Sequence, residues 1–579
     1  MTIKNGDTLS QDWPEDPERP NEGVQFDAVV MNPPYSAKNW NRDDLKVSDP
    51  RFADFGVLPP DSKGDFAFLL HGLFHLGING TMAIVLPHGV LFRGAAEGEI
   101  RKRLLDKGLL DTIIGLPSNL FTNTGIPVVV MVLKKNRNIG DPVLVIDASH
   151  SFIKVGKQNV LEEKDIAKIV DTYSNRMEIP GYSHLATREE IIDNDYNMNI
   201  PRYVESIDSE IPHDVDAHIL GGIPQKNIEE LSVLNLSVPD ILDNSLNPIR
   251  PGYVELINSI DDLTEEVLRD SRIINKTNEV AAKAEEYISK YWDSLRNVTR
   301  PTDILQLRED MLDEIKQLLS EFEFIDVYDG YQIIADIWKE ALTHDIELIA
   351  ASDFYTVART REPNMVTKGT GKNKREEQDG WVGSIVPNEL IAERLYTEEL
   401  NEIKNKQSRV QEVDIELSEL VEAAKVEDTD ENNALYEVIK KNEEDEPQDS
   451  FENKTVKSEL KNARKGTTEY DLLKKVDELM AEKSMLGKAI KAEEKTLKEM
   501  VYDRIMSLTN EEIDGLVHEK WFGNVVADLV NLVTIPLKAE LRTLDMLNKR
   551  YANTLSELDT EIRTLEEAFE TLMSEMVVE

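Results

Sequence analysis

The chain has 579 residues, which at about 150 residues per domain leaves room for three or four domains and excludes a single small module. Hydrophobic residues make up 40% and charged residues 31%, so neither a wholly disordered chain nor a fibrous repeat fits. The net charge of −45 argues against a free-standing protein that wraps DNA phosphates.

The acid is unevenly placed. Residues 1–200 carry 21 basic and 28 acidic side chains, a net of −7, which leaves −38 for residues 201–579. Any nucleic-acid contact is therefore expected from the first third or from a partner subunit. Apolar runs such as Thr81 to Phe92 fall short of the ~18 residues that cross a bilayer, so no membrane span is expected. Met1 to Asp7 lack a secretory core, and there is no cysteine to staple a secreted scaffold. A bacterial-type cytoplasm is the default location.

From residue 26 to about 145 short apolar runs alternate with helical stretches, the pattern of strands joined by crossover helices. Strands are expected at Phe26 to Met31, Thr81 to Leu86, Leu110 to Leu116, Pro127 to Leu133 and Val143 to Asp147, with helices at Asp65 to Leu76 and Glu97 to Lys107. This order predicts an α/β fold with a mostly parallel sheet and ligands at the strands' carboxyl ends.

After Pro201 the texture becomes long helices rich in Glu, Lys and Leu. Arg361 to Gly380 and Lys425 to Gly466 read as flexible connectors. Three stretches carry a seven-residue apolar repeat. The first runs Tyr396, Leu400, Ile403, Val410, Leu417, Val421, Ala424, interrupted by Gln407 and Asp414. In the second, Leu472, Val476, Leu479, Leu486, Ile490 and Leu497 are broken by Lys483 and Glu493. The third, Tyr551, Leu555, Leu558, Ile562, Leu565, Phe569, Leu572 and Met576, is unbroken. Such seams bury themselves either in an intramolecular hairpin or on a partner's helices; both hold if 396–424 pairs with 472–508 and 551–576 engages a second chain.

One tetrapeptide dominates the chemistry: Asn32-Pro33-Pro34-Tyr35, directly after the apolar run 26–31. A strand ending this way presents an amide, a rigid turn and an aromatic face at the sheet's carboxyl edge. That combination suits an exocyclic amine. The adenine amino nitrogen is a poor nucleophile because its lone pair is delocalised into the ring. The Asn32 side-chain oxygen and the Pro33 carbonyl can hold its two hydrogens so that the lone pair turns towards an electrophile. Tyr35 can stack on the base, which must leave the duplex to reach such a pocket. The plain alternative is a proline turn closing a buried strand.

Gly6-Asp7-Thr8-Leu9, Phe26 to Ser36, Lys63 to Phe68, Ala83 to Gly94 (AIVLPHGVLFRG), Glu99 to Leu105, Ile114 to Pro117, Leu120 to Leu133 and Asp195 to Val204 together resemble the modification subunit of type I restriction–modification systems. The likeness covers residues 1 to about 205 in family order and continues more loosely through Asp336-Ile337-Trp338, Gly380 to Gly383 and the final helix. It implies an adenine-N6 DNA methyltransferase subunit of partial Rossmann-like fold. S-adenosylmethionine would be its cofactor, and its partners would be a specificity subunit, a restriction subunit and a second modification subunit acting on double-stranded DNA.

Residue by residue, the resemblance implies that Asn32, Pro33, Pro34 and Tyr35 are catalytic and that Tyr35 and Phe121 stack on the base. It places Asp7, Asp65 and Phe66 at the cofactor. For Phe66 and Phe121 plain core packing is the competing reading. It also implies an incomplete cofactor pocket, since relatives carry a helical region and a glycine-rich loop upstream of the tetrapeptide and the 31 residues before Asn32 contain no such loop.

The expected organisation is a partial methyltransferase domain at 1–205, a mainly helical region at 206–395, a helical hairpin with acidic connector at 396–510 and a C-terminal docking region at 511–579. Two rivals stay open: a non-catalytic docking subunit, and a protein-glutamine methyltransferase, which would hold a side-chain amide with the same tetrapeptide. Lys368-Gly369-Thr370-Gly371-Lys372 fails the phosphate-loop pattern. His71 and His75 lack a third metal ligand, so no metal is expected. Arg101-Lys102-Arg103 reads as a solvated helix end rather than a phosphate contact.

Overall fold

The structure, a computed structural model, describes residues 3, 5–10, 18, 23–38, 40, 42–122, 124–205, 211–368, 374–426, 430–443 and 446–575. The glycines of 368–372 and the last apolar repeat position, Met576, lie outside these residues. The chain forms two compact units: residues 1–279, 312–335 and 529–579 make the first, and residues 280–311 and 336–528 the second.

In the first unit the apolar runs become a six-stranded sheet. Its strands are β1 (Phe26–Met31), β2 (Leu76–Pro87), β3 (Leu110–Gly115), β4 (Val128–Lys134), β5 (Val143–Asp147) and, beyond a two-stranded hairpin of β6 (Ile153–Val155) and β7 (Gln158–Val160), β8 (Ser183–Ala186). The spatial order is β1-β2-β4-β3-β5-β8. Strands β1, β2, β3 and β5 share one direction, while β4 and β8 run against it. The sheet is thus mostly parallel, and among the described residues β1 and β8 are its edge strands.

Both faces of β3, β4 and β5 are covered, because alternate residues of these buried strands are apolar on each side. Helices α1 (Asp65–Phe74) and α2 (Ala95–Asp106) bury Phe66, Leu69, Leu70, Ile100 and Leu104 against Met82, Ile84, Ile113 and Met131. Each such side chain contributes about 1.5–3 kcal/mol. Opposite, Ile114, Val132, Leu144 and Ile146 pack with Ile169 and Tyr173 of α3 (Glu163–Asn175). The same unit holds a separate core in which Leu231, Leu234, Ile241 and Leu263 meet Leu537, Leu541, Leu544 and Tyr551.

The second unit contains the long helices α4 (Thr397–Val426) and α5 (Thr468–Ile505). They run antiparallel, as Lys406 pairs with Glu493 (2.7 Å) and Arg409 with Glu482 (2.8 Å). The interruptions of the two apolar seams answer one another: Asp414 pairs with Lys483, and Gln407 donates to Glu494 beside Glu493 (3.0 Å).

The described residues of the two segments read as flexible connectors carry regular secondary structure. Arg361–Lys368 and Arg375–Gly383 form an antiparallel ribbon, and between α4 and α5 lie strands Ile439–Lys441 and Pro447–Phe451 and the helix Asn453–Asn462. Polar composition hid both, although in the second the apolar residues Ile439, Phe451 and Val456 are buried with residues of α4 and α5. One helical stretch, Asn510–Arg550, is long and apolar enough to cross a membrane by length and composition, which the apolar runs of the sequence did not suggest. Its Trp521, Phe522, Leu529, Leu537 and Leu544 are buried within the protein.

Candidate active site at the carboxyl edge of the sheet

The tetrapeptide leaves the carboxyl end of β1. Asn32 and Pro34 are exposed, Pro33 is buried and Tyr35 half-buried. The Tyr35 hydroxyl donates to Asn32 Oδ1 (3.0 Å), which fixes the amide oxygen's direction and leaves its second lone pair available. Burial raises the Tyr35 pKa above its ordinary 10.0, so the hydroxyl stays a donor at neutral pH. Among the described residues nothing donates to the Pro33 carbonyl.

The segment after β3 brings Phe121 to the same place. Its ring stands edge-on to Tyr35, centroids 6.0 Å apart at 68°, within the range of T-shaped aromatic pairs. Phe121 is half-buried and bridges Thr124. The aromatic pair is therefore partly open to solvent.

The turn is held from behind. Ser36 has a left-handed backbone, φ 49°, which costs a residue with a Cβ, and its N–H donates to Asp65 Oδ1 (2.6 Å). Gly64 N–H donates to the Ala37 carbonyl (2.9 Å), so the start of α1 grips both residues that come after the tetrapeptide. Asp65 Oδ2 in turn accepts from Arg93 Nη1 (2.9 Å), which also donates to Glu97 Oε1 (3.1 Å). Burial pushes the Glu97 carboxyl above its ordinary range, Arg93 pulls it back, and Asp65 adds to the rise. Neither Arg93 nor Glu97 was singled out in the sequence; the available signal was their i,i+4 spacing.

The residues expected at a cofactor separate. Asp65 and Phe66 are 0% exposed: Asp65 has both oxygens engaged, and Phe66 belongs to the core over β2. Neither side chain is open to S-adenosylmethionine, which leaves Asp7 of the three expected residues to hold it. Asp7 is exposed and accepts from Leu9 N–H (3.0 Å) and Ser10 N–H (3.3 Å). Leu9 anchors this turn in the core, its carbonyl accepting from Arg51 (3.1 Å). At the end of β2, His88 has its pKa lowered by burial, against a smaller rise from Asp147 at the end of β5. His71 and His75 are buried; their rings meet edge to face at 4.8 Å, and among the described residues no metal-binding cluster occurs. Arg101, expected on a solvated helix end, is instead buried and donates to the carbonyls of Val90, Arg93 and Tyr196.

An amide and a free carbonyl beside an aromatic pair, at the carboxyl edge of an α/β sheet, agree with what residues 1–211 match as a family, described as N-6 DNA methylase. Residues 1–211 match the model of the N-6 DNA methylase family. The chain is 38% identical over 263 residues to the type I restriction enzyme MpnII methylase subunit of Mycoplasma pneumoniae, covering 45% of each chain. It is 35% identical over 241 residues to the MjaVII methylase subunit of Methanocaldococcus jannaschii, covering 40% of this chain and 39% of that one. A crystal structure of the type I restriction-modification system methyltransferase subunit from Streptococcus thermophilus is 54% identical, covers 35% of this chain and 42% of that one, and has a TM-score of 0.33. The methylase segment thus spans less than half the length of the curated relatives it matches.

Proposed function

We propose that this chain is the modification subunit of a type I restriction–modification system and methylates adenine N6 in DNA. The observation that carries this reading is the Asn32 amide oxygen and the Pro33 carbonyl presented beside Tyr35 and Phe121 at the sheet's carboxyl edge, in a segment that matches the N-6 DNA methylase family. The two oxygens accept the two amino hydrogens of an extruded adenine, which turns the nitrogen lone pair out of conjugation and towards the methyl donor. Tyr35 stacks on the base, and Phe121 closes the side of the slot. When bound, S-adenosylmethionine supplies an electrophilic methyl group. The proton leaves the nitrogen once it becomes cationic, so no general base is required of this chain.

The partner expected at the carboxyl-terminal helix α6 (Leu555–Glu575) is a specificity subunit that reads the DNA sequence; a restriction subunit and a second modification subunit complete the assembly, in the cytoplasm. The support is an apolar face left in solvent: Leu555, Leu558, Ile562, Leu565, Phe569 and Leu572 are 41–64% exposed. The test is methyl incorporation into duplex DNA by the reconstituted complex. Replacing both Asn32 and Tyr35 by alanine abolishes it on this reading, while full activity in that variant refutes the assignment.

A further inference from the structure

Strands β1, β3 and β5 run in the same direction, so the segments that leave their carboxyl ends lie at one edge of the sheet. After β1 comes the tetrapeptide, after β3 the turn with Phe121, and after β5 the hairpin β6–β7. The hairpin is fastened to the Phe121 turn. Asn159, 6% exposed, donates from its side chain to the Ser118 carbonyl (2.7 Å) and from its backbone to the Asn119 carbonyl (3.1 Å). The turn between the strands is Gly156-Lys157, with Gly156 at φ 63°, the left-handed position that a two-residue hairpin needs at its first place.

The composition of this hairpin departs from the rest of the chain. Among 111 acidic residues in the sequence, none lies between Asp147 and Glu162, whereas Lys154 and Lys157 are both exposed. Neither lysine has a carboxylate partner among the described residues. The neighbouring segment Pro117 to Pro127 carries no charge at all. Cross-strand register puts Ile153 with Val160 and Val155 with Gln158 on one face, and Lys154 with Asn159 on the other. Ile153, Val155 and Val160 are 44%, 56% and 39% exposed. A hairpin that leaves apolar side chains and unpaired lysines in water, next to a slot for an extruded base, carries the features of a nucleic-acid wedge. Its lysines fit phosphates, and its apolar tip fits the base faces uncovered when a nucleotide leaves the stack.

We infer that the hairpin 153–160 contacts the duplex beside the extruded adenine, with Lys154 and Lys157 on phosphates and Ile153 and Val155 against the opened stack. The inference rests on the methyltransferase reading and adds the part of the chain that holds the DNA open. The chain has no cysteine, so Val155→Cys provides a unique thiol for a photoreactive label. The full chain, with the subunits that copurify with it, is tested on duplex DNA containing its methylation site. The label is expected to cross-link to DNA. In the Lys154→Ala/Lys157→Ala variant the slope of log affinity against log salt becomes shallower by about 1 per lysine. If the unaltered protein methylates the duplex but the slope is unchanged, or the label attaches only to protein, the hairpin inference falls and the methyltransferase reading stands. If the unaltered protein neither binds nor methylates the duplex, both fall.

Discussion

Substituting Asp65→Asn tests how the turn that carries Asn32 and Tyr35 is held. Asp65 accepts from two donors, Ser36 N–H on one oxygen and Arg93 on the other, and it is 0% exposed. An amide of the same shape can accept from only one of them, because its NH2 would point a donor at a donor. One charge-assisted hydrogen bond, about 1.5–3 kcal/mol, is then lost, and the other falls to the neutral value of ~1 kcal/mol. Relief of the repulsion with Glu97 returns part of this, leaving a net loss of about 2–4 kcal/mol, a large share of the ~5–15 kcal/mol that holds a typical domain together.

Urea unfolding of the full chain measures the stability change. The left-handed Ser36 is freed as well, so the geometry of the slot changes at temperatures where the fold survives. With 2-aminopurine at the target position, fluorescence reports whether the base still stacks, and kcat is expected to fall more than KM rises. A stability loss under ~1 kcal/mol together with an unchanged fluorescence signal would refute the role assigned to Asp65.

Two further outcomes are expected. His184 on β8 sits between Glu190 (2.9 Å) and Glu178 (2.6 Å); burial alone would lower its pKa, but the two carboxylates outweigh this and raise it above the ordinary 6.5. A raised histidine pKa stabilises the fold below pH 6.5 and the benefit disappears as pH rises through the folded value. His184→Gln should therefore lower Tm in acid and converge with the unaltered chain in mildly alkaline buffer; a gap that does not change with pH contradicts this. On α6, Leu565→Glu with Phe569→Glu removes two of the exposed apolar side chains. Their burial in a complex is worth at least ~2 kcal/mol, so assembly measured by analytical ultracentrifugation weakens more than tenfold while Tm of the isolated chain stays put.

The sheet was legible because its strands are apolar runs of five or more residues, and β5 begins and ends where the pattern placed it. Strand β8 was not, since Ser183-His184-Leu185-Ala186 offers only four residues without a clear alternation, and its pairing with β5 depends on a contact far along the chain. The tetrapeptide stood out because Pro-Pro after an apolar strand has a definite geometry. What supports it did not: Arg93 lies 28 residues from Asp65, and no local pattern joins them. Burial of Asp65 was hidden for a related reason, and for Phe66 core packing stood only as the competing reading. A helix opening Asp-Phe-Ala-Phe-Leu-Leu is apolar almost all round, so spacing cannot say which side faces a ligand and which the core.

The position of β1 at the margin of the sheet sets where motion should concentrate. Among the described residues only one of its sides is laddered to a neighbour, and Val30 is 85% exposed. Alternate amides of Phe26–Met31 point outward and should exchange with deuterium fast, while those facing β2 are protected. The proposed nucleobase slot therefore hangs from an edge strand of the described sheet. Its fidelity is borrowed from the neighbouring helix start, so a tremor in β1 can pass without disturbing Asn32 as long as the α1 clamp holds.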